Sequence, residues 1–411
     1  MKLNKIYKLA QICSKIGSGA TPKGGKESYL GGNTSLIRSQ NVIDFGFLYN
    51  GLALINDEQA HGLDNVTVMT GDVLLNITGD SVARCCKVPS NILPARVNQH
   101  VAIIRGDNNI VISDYILYYL QYKKPYLLSL SQGGATRNAL TKKMIEDIKI
   151  PLPSISEQRH IIDLLSSIDN KIELNRRIND NLEQQAQALF KSWFVDFEPF
   201  KDGKFVNSEF GMIPEGWKIS ELKSICSLIT KGITPQYDES SNQLVIGQKC
   251  IRGRKIDLSI ARKHIPKQIN EKWVQYGDVL INSTGIGTLG RPAQVWFQKK
   301  NVTVDSHVTI VRTNRQNDKM FIGQYFLGKQ ILLESYATGS TGQADLSKEL
   351  LAMTKLVYPT DKVLNDFNKI ITNMVLKIVE LQTETEYLSS LRNTLLPQLM
   401  SGELKINETT R

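Results

Sequence analysis

GDVLLNITG (71–79) recurs as GDVLINSTG (277–285), 206 residues further along the chain. Matches extend outward from that pair. VNQHVAIIR (97–105) returns as VDSHVTIVR (304–312), and NALTKKMIEDIKIPLP (138–153) aligns with ADLSKELLAMTKLVYP (344–359). LAQICSKIGSGATP (9–22) aligns loosely with LKSICSLITKGITP (222–235). In 411 residues this spacing leaves room for two copies of one unit. Each copy is too long for a solenoid repeat and suits a domain with an appendage.

Each copy opens as short β-branched runs broken by Gly, Pro, Asn and Asp, the signature of strands and turns. Helical patches such as DYILYYLQYKK (114–124) intervene. Each then changes character. Ser154 and Glu157 form a capping-box pattern, and no Gly or Pro follows until Pro199. Ile161, Leu165, Ile168, Ile172, Leu182, Ala186, Leu189 and Trp193 alternate at three and four, with Asn175 and Asn179 on the same seam. After Pro359, Phe367, Ile371, Met374, Ile378, Leu381, Leu388, Leu395 and Leu399 repeat the spacing, interrupted by Thr385 and Arg392. That spacing predicts a coiled-coil seam. The expected fold is α+β: two tandem mixed α/β, strand-rich domains, each followed by a long helix, with the helices paired antiparallel about a pseudo-twofold axis. The boundaries read as 1–153, 154–200, 201–360 and 361–411. Packing of each helix on its own lobe is the alternative.

Net charge is +10, and it is concentrated in the lobes. Residues 1–153 carry 17 Lys+Arg against 11 Asp+Glu, and residues 201–360 carry 22 against 14. The intervening and final segments are acidic or near neutral. Two basic blocks fit a polyanion ligand, and a bipartite one suits duplex DNA with two half-sites. The five cysteines form no CxxC pair, which argues against a zinc site or disulfide framework and suits the cytoplasm. Cys85 and Cys86 read as buried strand residues. No apolar run reaches membrane-span length, and the N-terminus lacks a signal peptide's apolar block.

EQRHIIDLLSSIDNKIELNRRINDNLE (157–183), LFKSWFVDFEPF (189–200), FGMIPEGWKISEL (210–222) and LLPQLMSGEL (395–404) strongly resemble the conserved segments of type I restriction-modification specificity subunits. The resemblance spans essentially the whole chain and is weaker in the lobes. It implies a non-catalytic DNA-binding subunit of a host-defence system. Each lobe would be a target recognition domain reading one part of a split, asymmetric double-stranded DNA site, and the paired helices would act as a spacer. Two methyltransferase subunits and two restriction subunits would assemble around the chain. They would use S-adenosylmethionine, ATP and magnesium for adenine methylation, translocation and cleavage, while the chain itself would hold no cofactor. Phe190, Trp193, Phe194 and Phe197 would lie near lobe and partner contacts, with plain helix packing the alternative.

The competing class is a DNA adenine methyltransferase or fused restriction enzyme with an unrecognised active site. A methyltransferase of that kind needs an Asn/Asp-Pro-Pro-aromatic tetrapeptide, and the nearest string, Phe197-Glu198-Pro199-Phe200, lacks two of its members. GIGTLG (285–290) follows a strand, but Arg291-Pro292 and a β-rich run follow it where a dinucleotide fingerprint needs a helix. The five histidines show no ligand spacing, so neither a metal site nor a catalytic residue is expected.

Base edges are read by Arg, Lys, Asn and Gln, and phosphates are held by cations, hydroxyls and amides. Such residues on loops at matching places are Thr21 and Lys23 with Thr234 and Gln236; Arg38 and Gln40 with Gln248 and Lys249; and Thr78 and Arg84 with Thr284 and Arg291. His100 matches His307, and Arg137 and Asn138 match Gln343 and its neighbour. The glycines beside Thr21 and Thr234 read as points of close backbone approach to phosphate. Residues alike in both copies suit phosphate or folding roles, whereas Arg137 and Gln343 differ and suit base reading. Arg137→Ala is expected to cost ~1–3 kcal/mol of discrimination at one base. Lys23→Ala is expected to weaken all sequences alike. Asp72 and Asp278 read as caps of a turn.

Overall fold

A computed structural model describes residues 5–22, 29, 31–132, 138–339 and 344–405. The chain forms two compact units, Met1–Leu174 with Glu384–Arg411, and Asn175–Thr383. Each contains one lobe and parts of the two long helices.

In the first unit, Cys13–Ser18, Val101–Gly106, Val73–Asn76 and Cys85–Lys87 form an antiparallel sheet in that order. The second unit builds the same sheet from Cys226–Lys231, Val308–Thr313, Val279–Asn282 and Pro292–Gln294. GDVLLNITG and its repeat are thus the same inner strand in each copy. Its four residues are buried in both, as a strand covered on two faces requires. Cys85 and Cys86 are buried strand residues, and burial pushes the Cys86 thiol up to about 12.

A second sheet shares the repeat. Thr34–Ile37 runs parallel to Ala95–Val97, and Gln243–Ile246 runs parallel to Val302–Val304. The outer neighbours are Ala53–Ile55 and Arg262–His264, both antiparallel. Lys5–Lys8 pairs with Lys149–Leu152, and Lys218–Glu221 with Lys355–Tyr358, closing each lobe near the start of its long helix. The hairpin Phe205–Ser208 and Gly211–Pro214 belongs to the second copy.

The aspartates after the turn glycines act as expected. Asp72 accepts from the Met69 amide at 2.7 Å and Asp278 from the Gln275 amide at 2.8 Å. Each also takes an arginine bidentately. Arg105 Nε donates to Asp72 Oδ1 at 2.7 Å, and Arg312 Nε to Asp278 Oδ1 at 2.8 Å. The same guanidinium groups donate to the carbonyls of Thr67 and Trp273. One buried ion pair therefore ties the turn to the sheet in each copy, with its hydrogen bonds satisfied.

The long helices run Ile155–Phe194 and Asp361–Ser401. The Ser154 amide donates to Glu157 Oε2 at 2.9 Å and the Glu157 amide donates to Ser154 Oγ at 3.3 Å, which is the capping box. In the first unit Lys171 pairs with Glu384, Asp169 with Arg392, and Leu165 shares a core with Leu396 and Leu399. Partner numbers fall as the first helix advances, so the segments are antiparallel. In the second unit Phe194 and Phe190 close on Phe367, with ring centres 4.8 and 6.3 Å apart. Leu165, Ile168, Ile172, Asn175, Asn179 and Ala186 are buried on the expected seam. At its ends the seam is one residue off. Ile162, Phe190 and Phe194 are buried in place of Ile161, Leu189 and Trp193, because a straight helix drifts against a 3.5-residue repeat and there meets the lobes. Both expected modes of packing thus occur in one helix. Arg392, read as an interruption, ion-pairs with Asp169 at 2.8 Å.

Candidate nucleic-acid interface

The loop after the parallel strand pair carries a matched polar feature in both lobes. It reads Asn98-Gln99-His100 in one and Asp305-Ser306-His307 in the other. The first residue turns the loop, because Asn98 Oδ1 accepts from the His100 amide at 3.0 Å and Asp305 Oδ1 from the His307 amide at 2.9 Å. Each histidine carbonyl accepts from the inner strand's end, from the Ile77 amide at 3.0 Å and the Ser283 amide at 2.7 Å. Each Nδ1 meets a threonine hydroxyl, Thr78 Oγ1 at 2.6 Å and Thr284 Oγ1 at 2.9 Å. GDVL…T and V…H, separate motifs in the sequence, thereby become one site.

Around this shared pair the lobes diverge. Gln99 Nε2 lies 3.1 Å from His100 Nε2, and Thr21 Oγ1 donates to Gln99 Oε1. Nε2 is then an acceptor, and the His100 proton sits on Nδ1 and points at Thr78. Ser306 replaces Gln99 in the second lobe, and the His307 side is exposed. Among the described residues His307 Nε2 has no hydrogen-bond partner. Gln248 Nε2 donates to Thr284 Oγ1. Thr284 Oγ1 thus bridges Gln248 and His307 Nδ1. Burial raises the Asp305 carboxyl above the ordinary aspartate range, opposed by its hydrogen bond from the His307 amide.

The other expected residues divide. Gln40, the match of Gln248, does not reach Thr78; its Nε2 donates to the Gly51 carbonyl at 3.1 Å, and Arg38 donates to the same oxygen. Lys249 is exposed beside Gln248. Arg84 and Arg291 are equivalent, since their carbonyls accept from the Asn76 and Asn282 amides at 2.8 and 3.0 Å. Asn138 is exposed, and its carbonyl accepts from Gly79. Thr234 and Gln236 are exposed, and their carbonyls accept from Lys267 Nζ and the Ile265 amide. Lys23, Arg137 and Gln343 lie outside the described residues.

The glycine reading needs correction. A Cβ on Gly19 would fall 1.8 Å from the Val97 carbonyl oxygen, and one on Gly232 would fall 1.9 Å from that of Val304. Close approach inside the lobe, not to phosphate, explains these two glycines. As expected, GIGTLG leads into a strand, Pro292–Gln294, and not into a helix. The helix-end aromatics pack within their own unit, with Phe194 against Phe321 at 4.9 Å and Trp217 at 5.8 Å.

Gln248, Lys249, Asp305 and His307 line a cleft of about 240 Å³ together with two residues the sequence did not single out, Tyr237 and Arg262. The carbon of the Arg262 guanidinium lies 3.2 Å from the Tyr237 ring centre. Both are exposed. No motif marks either residue. The available signal was their place in the second copy, and the register needed to use it came from strand pairing.

The arrangement offers hydrogen-bond donors and cations on loops held by a rigid sheet, which suits recognition of an anionic, edge-patterned ligand. Among the described residues no group of three or more His, Cys, Asp or Glu is placed to hold a metal ion, and no helix is long and apolar enough to cross a membrane. The family model described as "Type I restriction modification DNA specificity domain" matches residues 1–184 and 214–386. The chain is 27% identical to the Type I restriction enzyme MjaIX specificity subunit of Methanocaldococcus jannaschii, over 98% of this chain and 94% of that protein. It is 24% identical to the HindI specificity subunit of Haemophilus influenzae, over 90% and 94%. In fold it resembles the crystal structure of the type I restriction-modification S subunit from M. genitalium, with a TM-score of 0.59 at 14% identity over 99% of this chain and 98% of that one. With the repeat, the paired helices and the matched loops, these matches make the chain a member of the type I restriction-modification DNA specificity family.

Proposed function

We propose that this chain is the sequence-reading subunit of a type I restriction-modification complex. Each lobe reads one part of a split, asymmetric duplex site, and the helical segments set the number of unread base pairs between the parts. The observation that carries this reading is the Thr–His pair, placed on the same loop in both lobes yet surrounded by different donors. A common scaffold with exchanged edges is what two reading heads for two different sequences require.

Two methyltransferase subunits and two restriction subunits complete the complex in this reading. They hold S-adenosylmethionine, ATP and magnesium, and this chain holds none. Its contribution is binding energy and register; transfer of the methyl group to adenine N6 takes place on a partner. The test is methylome sequencing of a host lacking its own systems, expressing this chain with its methyltransferase subunit. N6-methyladenine at one split, asymmetric motif is the expected result, and exchange of residues 1–153 for another lobe should alter one part only. Methylation by this chain alone would replace the reading with an enzyme.

A further inference from the structure

Strand pairing gives an alignment of the two lobes that the sequence repeat does not. Ile37 pairs in parallel with Val97, and Ile246 with Val304, so the two isoleucines are equivalent. One residue earlier, Leu36 faces Ala53 while Val245 faces Arg262. Arg262 therefore stands where the first lobe has Ala53. The backbone is shared and the side chain is not.

Arg262 is held in place by a neighbouring segment. The segment containing Tyr237 runs beside Arg262–His264, with the Ile265 amide donating to the Gln236 carbonyl at 2.7 Å and the Asp238 amide to the Lys263 carbonyl at 3.2 Å. At 3.2 Å from ring centre to guanidinium carbon, only a stacked arrangement avoids a clash. Stacking covers one face of the guanidinium and leaves its N–H edge available. Among the described residues that edge meets no carboxylate. Arg312 and Arg315 of the same unit are committed instead, to Asp278 and to Asp318 with Asp361. Arg262 lines the cleft that also holds Gln248, Lys249 and His307.

We propose that Arg262, held against Tyr237, reads a guanine through O6 and N7 in the major groove of the part of the site bound by the second lobe. This rests on the DNA-reading function above. A planar donor pair held in one orientation matches that guanine edge. A phosphate contact needs only positive charge, and a phosphate anchor needed by both lobes would be kept in both, as the Thr–His pair is. Alanine at the matched position of the first lobe fits a base reader, the kind of residue that changes with the sequence read.

The test uses the complex of the full chain with its methyltransferase subunits and duplexes carrying the methylated motif. In each duplex one base pair of the part assigned to the second lobe is replaced. The wild-type complex is compared with Arg262→Ala, Arg262→Lys and Tyr237→Leu by competition binding. Both Arg262 variants should lose roughly 10- to 100-fold of discrimination at a single G·C pair and keep it elsewhere. Tyr237→Leu should lose a smaller factor at the same pair, since it keeps the charge and removes the platform. Full discrimination by Arg262→Lys would overturn the assignment, and so would equal weakening on every duplex, which marks a phosphate contact. If Arg262→Ala does not fold, Arg262→Lys decides alone. A wild-type complex that prefers none of these duplexes over random DNA would instead defeat the DNA-reading function itself.

Discussion

The two lobes share a backbone and differ in what the backbone carries. Thr78–His100 and Thr284–His307 are the same construction, as are Asp72–Arg105 and Asp278–Arg312. Around them, Gln99 gives way to Ser306, Ala53 to Arg262, and Ile55 to His264. The helices show the same contrast. Asp169 and Arg392 form an ion pair in one unit, while Val375 and Ala186 occupy the corresponding places in the other. Identity between copies marks what the fold requires, and difference marks what each copy does with it.

Removing a shared element should harm both lobes, and most severely. Asp278→Ala is expected to cost about 3–5 kcal/mol, because it leaves a buried guanidinium without its carboxylate. Asp72→Ala should cost less, since Arg105 is 23% exposed against 11% for Arg312. Urea unfolding of the two variants measures both losses, and a larger loss in the first lobe would break that equivalence.

The helix contrast comes next in size. Asp169 accepts from both Arg392 and the Tyr118 hydroxyl at 2.8 Å, so Asp169→Ala strands two donors. A loss of about 2–3 kcal/mol is expected, discounted for partial exposure. Changing Asp169→Ala together with Arg392→Ala should recover part of it, and a double-mutant cycle reads the coupling.

A pH difference between the lobes follows from His264. Its ring is fully buried, with no hydrogen bond of normal geometry on either nitrogen, and burial holds its pKa below the ordinary histidine value. Below pH ~6.5 the unfolded chain takes up a proton that the folded lobe refuses. Stability of the second lobe should therefore fall, by at most ~1.4 kcal/mol per pH unit, until the lowered value is reached. His264→Ile copies the first lobe and should remove this dependence, as thermal melts between pH 7 and 5 would show. An unchanged slope would assign the dependence to another group.

The smallest effects separate the two interfaces. Gln248→Ala removes the donor to Thr284 and should weaken specific binding by about 1 kcal/mol, whereas Gln40→Ala should leave the Thr78–His100 pair intact. Lys249→Ala should lower affinity for all sequences alike and reduce the salt dependence by about one counterion, which binding at two salt concentrations reads directly.

Legibility of the sequence followed the range of each signal. The repeat, the capping box at Ser154, the turn aspartates and most of the helix seam depend on residues close in the chain or on a regular period, so the linear pattern determined them. The family was legible in the same way, through long stretches such as 157–183. The interface was legible only in part. The repeat marked Thr78, His100, Thr284, His307 and Gln248, and the structure brings them together as two Thr–His pairs with Gln248 on the second. Tyr237 and Arg262, which line the same cleft, carried no mark in the sequence, since no alignment links Arg262 to Ala53 until the strands pair. Whether Gln248 bonds to Thr284 and Gln40 to Gly51, and whether a glycine faces phosphate or a neighbouring carbonyl, depends on contacts across tens of residues. The sequence by itself determined two copies of one fold with its helices. Only the tertiary structure decided which side chains each copy commits internally and which it leaves exposed, because that division is made by packing between distant strands.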